Sequence, residues 1–303
     1  MTAPSRLPKP DQTYPDWSRF LRDVWMHGMS VGNMDTFTLG EHLNMAVHSI
    51  METMTSRNEA KLIRPSAFLA CARQTYFAAN GVQSGNMPDN IGSTFSVGHL
   101  LHNLSYAAVI SAMPLAFKVS VEVDVAMPSW WPDDHTRFNQ HGHVDMLIEV
   151  VDSAAAAAYL PDGAPSKMLI DFKTMGGFSS KKHVKTLFGD DPDPFGYLAQ
   201  LSVYADALGL LDVGAIVAGI NRDSLASPLM PRFIDPKILR AERDRVRVAI
   251  EMALEGQDPG EEFILRHDKE AYFHCGRAGK PGYCPFREHC AANPTRDGDG
   301  TTG

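Results

Sequence analysis

The chain has few of the features that mark membrane, secreted or disulfide-bonded proteins. It contains no uninterrupted apolar run near the roughly 18 residues that a membrane-spanning helix needs. Residues 1–6 (MTAPSR) lack the apolar region of a secretory signal. Only four of the 303 residues are cysteine, which is too few for a disulfide scaffold. We therefore expect a cytoplasmic, intracellular protein with no membrane partner.

Positive charge is not in excess either. The 28 Lys and Arg residues face 36 Asp and Glu residues, so the formal net charge is −8. This balance disfavours a generic polyanion binder. A local basic groove is still compatible with it, because exposed charges are screened beyond about 8–10 Å at moderate salt. The length and the hydrophobic fraction of 44% suit one large domain, or a domain with an appended lobe.

Hydrophobic periodicity predicts helices first and alternating strands and helices afterwards. Residues 1–34 show no clear period and are expected to form an arm or short helices. Helical spacing covers residues 36–57, 66–79 with Ser66 as N-cap, 96–113, 195–208 with Gly209 as C-cap, and 235–254. Period-two or wholly apolar runs predict strands at 117–125, 143–151, 167–173 and 214–220. The predicted fold class is α/β, a small mixed central sheet flanked by helices.

Two aspartates and a lysine lie in the predicted strands. Asp171 and Lys173 are two positions apart, so their side chains project from the same face of a strand. Asp145, on a neighbouring strand, could complete a pair of oxygen ligands for Mg²⁺ or Mn²⁺. The lysine could then orient an attacking water or offset charge on a phosphorus centre. The alternative is a surface ion pair worth about 0–1 kcal/mol.

Two predicted helices contribute further polar side chains. His102 could ligate a metal ion through a neutral nitrogen, or could be a core histidine bonded to a backbone carbonyl. His99, three positions earlier, is a competitor for that role. Gln200 and Tyr204 share one helix face and could reach a phosphate, or could form a rim that faces water. Glu122, on the first strand, could add an outer carboxylate.

The order and spacing of these motifs resemble the RecB-type branch of the PD-(D/E)XK nucleases. The matching motifs lie within roughly residues 65–290 and are, in order, Gly98…His102, Gly142-His143-Val144-Asp145, Asp171-Phe172-Lys173-Thr174 and Gln200…Tyr204. Two departures are visible. Asp171 stands where many relatives carry Glu, and the connection from Asp145 to Asp171 is longer than a simple hairpin requires. The resemblance implies a restriction-endonuclease-like core.

The resemblance also implies a role for each side chain in these motifs. His102, Asp145 and Asp171 would hold Mg²⁺ or Mn²⁺, joined by the backbone carbonyl that follows Asp171. The other catalytic side chains would be Lys173, which would position the nucleophilic water, and Gln200 and Tyr204, which would orient the DNA strand near the cut.

The four cysteines follow a one-plus-three pattern. Cys71 precedes the nuclease-like motifs, whereas Cys275, Cys284 and Cys290 follow them, with eight and then five residues between them. Four thiolates suit a 4Fe–4S cluster, which would join the C-terminal segment to the N-terminal helices. A four-cysteine zinc site is the rival, although structural zinc usually uses two C-x₂₋₄-C pairs, and this chain has none.

The cysteine pattern also resembles that of known iron–sulfur nucleases. Nucleases related to the CRISPR-associated RecB-like exonucleases, and the AddB-type helicase–nuclease subunits, carry one cysteine before the nuclease motifs and three after them. The gap from Cys284 to Cys290 matches theirs, but the gap from Cys275 to Cys284 is wider. His274 or His289 are therefore conceivable substitutes for Cys275. The cluster would be structural, since hydrolysis transfers no electrons.

Basic and aromatic residues near these motifs suggest a DNA-binding groove. Lys181, Lys182 and Lys185 follow the strand of Asp171 and could neutralise phosphates, or could belong to a solvated loop. Arg73 and Tyr76, close to Cys71, could line the same groove, with Tyr76 stacking on an unpaired base.

The residues and the resemblance together predict a metal-dependent DNA exonuclease that acts on single-stranded ends. A non-catalytic DNA-end-binding or adaptor protein of the same fold and a structure-specific endonuclease are the alternatives. The expected organisation is an N-terminal arm with helices (1–64), a RecB-like nuclease domain closed by the cluster (65–290) and a disordered tail (291–303). The partners would be DNA and either a second copy of the chain or a recombination or repair protein. The expected setting is a bacterial or phage-infected cell.

Overall fold

The computed structural model describes most of the chain. The described residues are 16–30, 32–55, 62–66, 71–82, 91–175, 196–222, 229–259, 276–277, 280–281, 284, 286 and 289. Several predicted features lie outside these residues, namely Lys181, Lys182, Lys185, His274, Cys275, Cys290 and the tail over 291–303.

The central sheet is mixed and has five strands, which confirms the coarse α/β prediction. In spatial order its strands are β1 (Phe117–Ala126), β2 (His141–Val150), β3 (Lys167–Met175), β4 (Ala215–Asn221) and β5 (Met230–Ile234). Neighbouring strands run antiparallel except β3 and β4, which run parallel. A parallel pair requires a crossover connection, and the described part of this connection contains a helix. A separate two-stranded sheet pairs β6 (Gly276–Arg277) with β7 (Lys280–Pro281).

Helices precede the sheet, interrupt it and follow it. In the described part of the chain they are α1 (Trp17–Gly28), α2 (Thr36–Thr55), α3 (Ala72–Ala79), α4 (Ile91–Ala112), α5 (Ser153–Ala156), α6 (Tyr197–Ala207) and α7 (Pro236–Leu254). No helix among these residues is both long enough and apolar enough to cross a membrane.

Two helix starts differ from the prediction. The helix expected from Ser66 begins at Ala72, because Cys71 has extended backbone angles (φ −140°, ψ 131°) and is the N-cap. Helix α4 begins at Ile91 rather than near residue 96. The predicted C-cap region of α6 is confirmed, since Gly209 follows the helix with a φ of +68°, which favours glycine.

Side chains of β3 and β4 alternate between two hydrophobic clusters on opposite faces of the sheet. Met168, Ile170 and Phe172 pack with α1 and α4 on one face, which we call the α4 side. Leu169 packs with side chains of α6 on the other face, the α6 side. Because β4 is buried along its whole length, it is an interior strand, as its wholly apolar sequence predicts.

The N-terminal segment, which was expected to form an arm or short helices, contains a helix that packs in the core. Helix α1 buries five side chains on the α4 side of the sheet, each at most 4% exposed, namely Trp17, Phe20, Leu21, Val24 and Trp25. Their spacing is that of one helix face. Gly28, at the end of α1, permits a close approach to α4, because a Cβ there would lie 2.0 Å from the carbonyl oxygen of Ala108.

Candidate metal centre

Strands β1 and β2 rotate about their axes where the candidate site begins, so that their side chains exchange faces of the sheet. Along β1, Val121 packs on the α4 side but Val123 packs on the α6 side. Residues two apart in a regular strand share a face, so the strand must rotate between them. The intervening residue is Glu122, whose φ of +47° is the only positive value for a non-glycine among the described residues. Because Val121 pairs with Met146 and Val123 with Val144, the position opposite Glu122 is Asp145.

Asp145 occupies the place where β2 and β3 separate. The pairing of these strands ends with Met146 opposite Ile170. Beyond that point the backbone N–H of Phe172 donates to Oδ2 of Asp145 at 2.6 Å, so a carboxylate takes a place that a backbone carbonyl would otherwise fill. The side chain of Asp145 is only 15% exposed. The opening between the strands therefore holds a carboxylate that is fixed by the neighbouring strand.

Asp171 and Lys173 form a buried pair on the α6 side of the sheet. Nζ of Lys173 donates to Oδ1 of Asp171 at 2.9 Å, and it lies 2.8 Å from Oδ2 without hydrogen-bond geometry to that oxygen. Nζ also donates to Oε1 of Gln200 at 3.0 Å and lies 5.0 Å from the ring centroid of Tyr197. The side chains of Asp171 and Lys173 are 4% and 14% exposed, so this is not the solvated ion pair of the alternative interpretation.

His102 approaches the same opening from α4. Its Nδ1 lies 3.8 Å from Oδ2 of Asp145, and its ring centroid lies 6.2 Å from that of Phe172. Burial, with the charge of Lys173 as a smaller cause, lowers the pKa of His102 to about 3. The imidazole is therefore neutral at physiological pH, which is the protonation state that ligates metal ions.

The two aspartates are harder to ionise than ordinary carboxyl groups. Burial raises the pKa of Asp171 to about 6, with Lys173 opposing the shift and Asp145 adding to it. Burial likewise raises the pKa of Asp145, against the favourable effects of Lys173 and of the Phe172 N–H. A divalent cation between these groups would offset the repulsion of two adjacent carboxylates.

The donor set fits Mg²⁺ or Mn²⁺ in its chemistry, since it joins a neutral imidazole to two carboxylates. The described residues contain no group of three His, Cys, Asp or Glu side chains already arranged around a common cation position. His102, Asp145 and Asp171 are thus neighbours whose side chains must still adjust for all three to bind one ion. Asp171 in particular is turned toward Lys173.

The predicted pair on α6 is also placed at the site. Gln200 is 9% exposed and contacts Lys173, as described above. Tyr204 is 3% exposed and packs against Gly142, where a Cβ would lie 2.7 Å from the tyrosine Oη. Burial raises the pKa of Tyr204, so its hydroxyl stays protonated. The alternative of a helix rim that faces water is therefore wrong for both side chains.

Two tyrosines at the site were missed by the sequence analysis. Tyr106 is fully buried and donates from its hydroxyl to Oε1 of Glu122 at 2.9 Å. Tyr197 lies beside the amine of Lys173. Each had a positional signal, since Tyr106 follows His102 by one helical turn and Tyr197 precedes Gln200 by nearly one. Aromatic residues at helical spacing are more often core residues, so this spacing alone does not identify a tyrosine of the site.

Two of the four cysteines can be placed. Cys71, the N-cap of α3, and Cys284, far along the chain, are both buried. Gln74, in the first turn of α3, donates from Nε2 to Sγ of Cys284 at 3.1 Å, and its backbone N–H bonds to the carbonyl of Cys71. The C-terminal segment therefore meets α3 at the end that carries Cys71. Cys275 and Cys290 lie outside the described residues.

The predicted DNA-contacting residues of α3 do not form an exposed groove. Arg73 is 1% exposed and makes a bidentate ion pair with Asp258, with Nε–Oδ1 at 3.1 Å and Nη2–Oδ2 at 2.8 Å. The prediction that Arg73 lines a DNA groove is not supported, because its guanidinium is committed inside the protein. Tyr76 is half-buried and packs on Phe77, with ring centroids 5.6 Å apart. The lysines of the predicted groove lie outside the described residues.

Comparison with known proteins finds a distant structural similarity and no family or curated match. No family model matches the chain, and no curated protein matches it. Among solved structures, that of the protein SSO0001 aligns with 72% of this chain and 86% of its own, at 14% identity and a TM-score of 0.36.

Proposed function

We propose that this protein is a Mg²⁺- or Mn²⁺-dependent deoxyribonuclease, built on a restriction-endonuclease-like core, that degrades DNA from single-stranded ends. The observation that carries the proposal is the convergence of Asp145, Asp171, Lys173 and His102 at one opening between β2 and β3. These residues come from three elements, α4, β2 and β3, which are separated in the sequence. Burying the Lys173 amine costs desolvation free energy, which its contacts with the carboxylate of Asp171 and the amide of Gln200 offset in part. Such a buried charged group supports a functional role.

The proposed roles follow from the contacts. His102, Asp145 and Asp171 would hold the ion, which when bound supplies an acidified water and charge neutralisation for the scissile phosphate. Lys173 is held by Asp171 and Gln200 where its amine could orient the nucleophilic water. Tyr204, protonated and buried beside Gly142, would help to orient the strand.

Digestion of end-labelled DNA tests the activity. Single-stranded DNA labelled at either end would be incubated with Mg²⁺, Mn²⁺ or EDTA, and circular single-stranded DNA would separate an exonuclease from an endonuclease. We expect metal-dependent loss of linear DNA, and a decrease of at least about a hundredfold for Asp171→Ala and Asp145→Ala, since each removes a metal ligand. The matched control is Asp162→Ala, at an exposed aspartate between β2 and β3.

The outcomes are distinct for each alternative. Undiminished degradation by Asp171→Ala would overturn the assignment of the site. Binding of DNA ends without cleavage in any metal would favour the non-catalytic adaptor. Cleavage of circular DNA at a rate equal to that of linear DNA would favour the endonuclease.

We also propose that Cys71, Cys275, Cys284 and Cys290 hold a structural 4Fe–4S cluster. The support is the meeting of the Cys284 segment with the Cys71 end of α3, where Gln74 already donates an N–H to the Cys284 sulfur. Hydrogen bonds to cysteine sulfur are common around iron–sulfur clusters. Anaerobic purification followed by iron, sulfide and zinc analysis tests this. A colourless protein with one zinc per chain and no iron would contradict it.

A further inference from the structure

Tyr106 lies at the centre of the groups that surround the candidate metal centre. It is fully buried, and its ring centroid lies 6.3 Å from that of His102 and 5.7 Å from that of Phe172. Its hydroxyl donates to Oε1 of Glu122 at 2.9 Å, and Glu122 lies opposite Asp145 in the pairing of β1 with β2. One side chain thus packs beside a proposed imidazole ligand and beside the residue whose N–H holds a proposed carboxylate ligand.

Glu122 is brought to this place by an unusual backbone. Its φ of +47° costs an ordinary L residue about 1 kcal/mol or more. The rotation of β1 at this residue accompanies a register in which Glu122 lies opposite Asp145, so the Tyr106 hydroxyl bonds to the carboxylate that faces the Asp145 position. Such strain is retained where the surrounding structure gains from it.

Tyr106 and the Phe172 N–H together restrict Asp145. The N–H holds Oδ2 from the β3 side, and Tyr106 packs against Phe172 on the α4 side while its hydroxyl holds Glu122 opposite Asp145. The ring of Tyr106 limits the imidazole of His102 in the same way, because the two lie one turn apart on α4 and are in contact.

We propose that Tyr106, held by Glu122, is a positioning residue that fixes Asp145 and His102 in the orientation needed to bind the divalent cation. This inference rests on the proposed function and deepens it. Groups that orient metal ligands commonly contribute 10- to 100-fold to metal affinity, and this is the scale of effect expected from the hydroxyl.

The test compares Mn²⁺ binding and Mn²⁺-dependent cleavage in matched variants. Tyr106→Phe keeps the ring and removes the hydroxyl, and we expect it to weaken Mn²⁺ binding, measured by titration calorimetry on the full chain without DNA, by roughly tenfold or more. The Mn²⁺ concentration for half-maximal cleavage should rise equally, the KM for DNA should change little, and high Mn²⁺ should restore kcat. General damage to the fold would not be restored by metal.

Glu122 supplies a second, independent arm. Glu122→Leu removes the acceptor of the hydroxyl and should shift the Mn²⁺ requirement in the same direction as Tyr106→Phe. Glu122→Gln keeps an oxygen acceptor and should fall between wild type and Glu122→Leu. The control is Tyr159→Phe, at a tyrosine that packs on Phe20 and Phe117 in the core, for which no change in Mn²⁺ dependence is expected.

Failure of this inference differs from failure of the proposed function. A wild-type protein that binds no Mn²⁺ and cuts no DNA would remove the nuclease proposal itself. A wild-type protein that binds and cuts, with the same Mn²⁺ affinity in Tyr106→Phe and Glu122→Leu, would overturn the positioning role alone. If Tyr106→Phe does not fold, the Glu122 series decides by the same criterion.

Discussion

Asp171 illustrates at the residue scale how burial opposes the ionisation of a carboxyl group. The carboxyl is 4% exposed, and burial raises its pKa from 3.8 to about 6 despite the adjacent Lys173 amine. The folded chain therefore binds this proton more tightly than the unfolded chain does. The resulting stabilisation is fully present below pH 3.8 and is lost as the pH rises through 6.

This leads to a prediction for the metal-free protein. In EDTA, the free energy of unfolding of wild type should decrease as the pH rises from about 4 to about 7, because Asp171 must ionise in a buried place. Asp171→Asn cannot ionise and should show a smaller decrease over the same range. Urea denaturation at a series of pH values measures both slopes. Equal slopes in the two proteins would show that Asp171 titrates normally.

The close contact between Gly142 and Tyr204 gives a second prediction at this scale. A Cβ at position 142 would lie 2.7 Å from the Tyr204 ring and hydroxyl, so Gly142→Ala must displace that side chain. Under the proposed nuclease function, in which Tyr204 orients the DNA strand, we expect cleavage to slow by roughly tenfold while the chain remains folded, since misplaced positioning groups reduce the rate strongly. Kinetics and circular dichroism check this. A wild-type rate in the variant would mean that the position of Tyr204 does not matter for the reaction.

The sequence predicted those contacts that depend on the period of one element. Asp171 and Lys173 share a face because strand side chains alternate, and the structure joins them. The bond from the Phe172 N–H to Asp145 exists because strands β2 and β3 separate, and the positive φ of Glu122 occurs where β1 rotates so that its side chains change faces. Neither the separation nor the rotation leaves a periodic pattern in one segment of sequence, so neither could be predicted.

At the scale of elements, the crossing of α1 and α4 depends on Gly28. Gly28→Ala would place its Cβ 2.0 Å from the backbone oxygen of Ala108, which cannot move independently of α4. We expect a loss of about 3 kcal/mol or more in the free energy of unfolding. The control is Gly40→Ala in α2, where nothing lies within 4 Å of the new Cβ and a gain of about 0.5–1 kcal/mol is expected. Thermal or urea denaturation separates the two, and equal effects would contradict the close crossing.

The ion pair of Arg73 with Asp258 joins α3 to the chain just beyond α7. Asp258→Ala would leave a guanidinium that is 1% exposed without this carboxylate, and removing one partner of a buried pair typically costs about 3–5 kcal/mol. Asp212→Ala breaks the exposed pair with Arg240 and should cost at most about 1 kcal/mol. Denaturant unfolding of the two variants gives the comparison. A small effect of Asp258→Ala would mean that Arg73 finds other partners.

Several elements were predicted closely, and others were missed for identifiable reasons. Strands β1 and β3 and helix α7 follow the expected periods. Strand β5 (MPRFI) was not predicted, because a proline and an arginine interrupt its pattern, and it is the last strand in the sheet order, where proline is tolerated. Helix α1 lies in the segment expected to form an arm or short helices, and its bounds were not predicted, although its buried side chains have the spacing of one helix face.

At the scale of the whole molecule, α1 belongs to the packing of the sheet. Removing residues 1–30 would expose the apolar surface that Trp17, Phe20 and Trp25 cover on the α4 side. We expect the truncated chain to lose cooperative unfolding, because burial of each large side chain contributes about 1.5–3 kcal/mol and total stability is small. Calorimetry of the truncated and full chains measures this. A cooperative transition at an unchanged temperature would show that the N-terminal segment is a separate unit.

The candidate site is assembled from side chains of five elements of the fold. Its side chains come from α4, β1, β2, β3 and α6, between residues 102 and 204. Sequence order and residue type indicated which side chains to consider, because each acidic or basic residue interrupts an apolar run. Their mutual distances depend on the parallel crossover between β3 and β4 and on the separation of β2 from β3. Such long-range geometry is set by packing, which a single sequence does not display.

The hydrogen bond from the Phe172 amide to Asp145, at 2.6 Å, also makes that one proton an intrinsic spectroscopic label. The chemical shift of an amide proton follows the charge of the oxygen that it faces. In a nitrogen–proton correlation spectrum the chemical shift of the Phe172 amide would therefore change whenever Asp145 gains a proton, binds a cation or is repositioned. The state of this carboxylate could then be followed in solution without a dye, a substrate or a chemical modification.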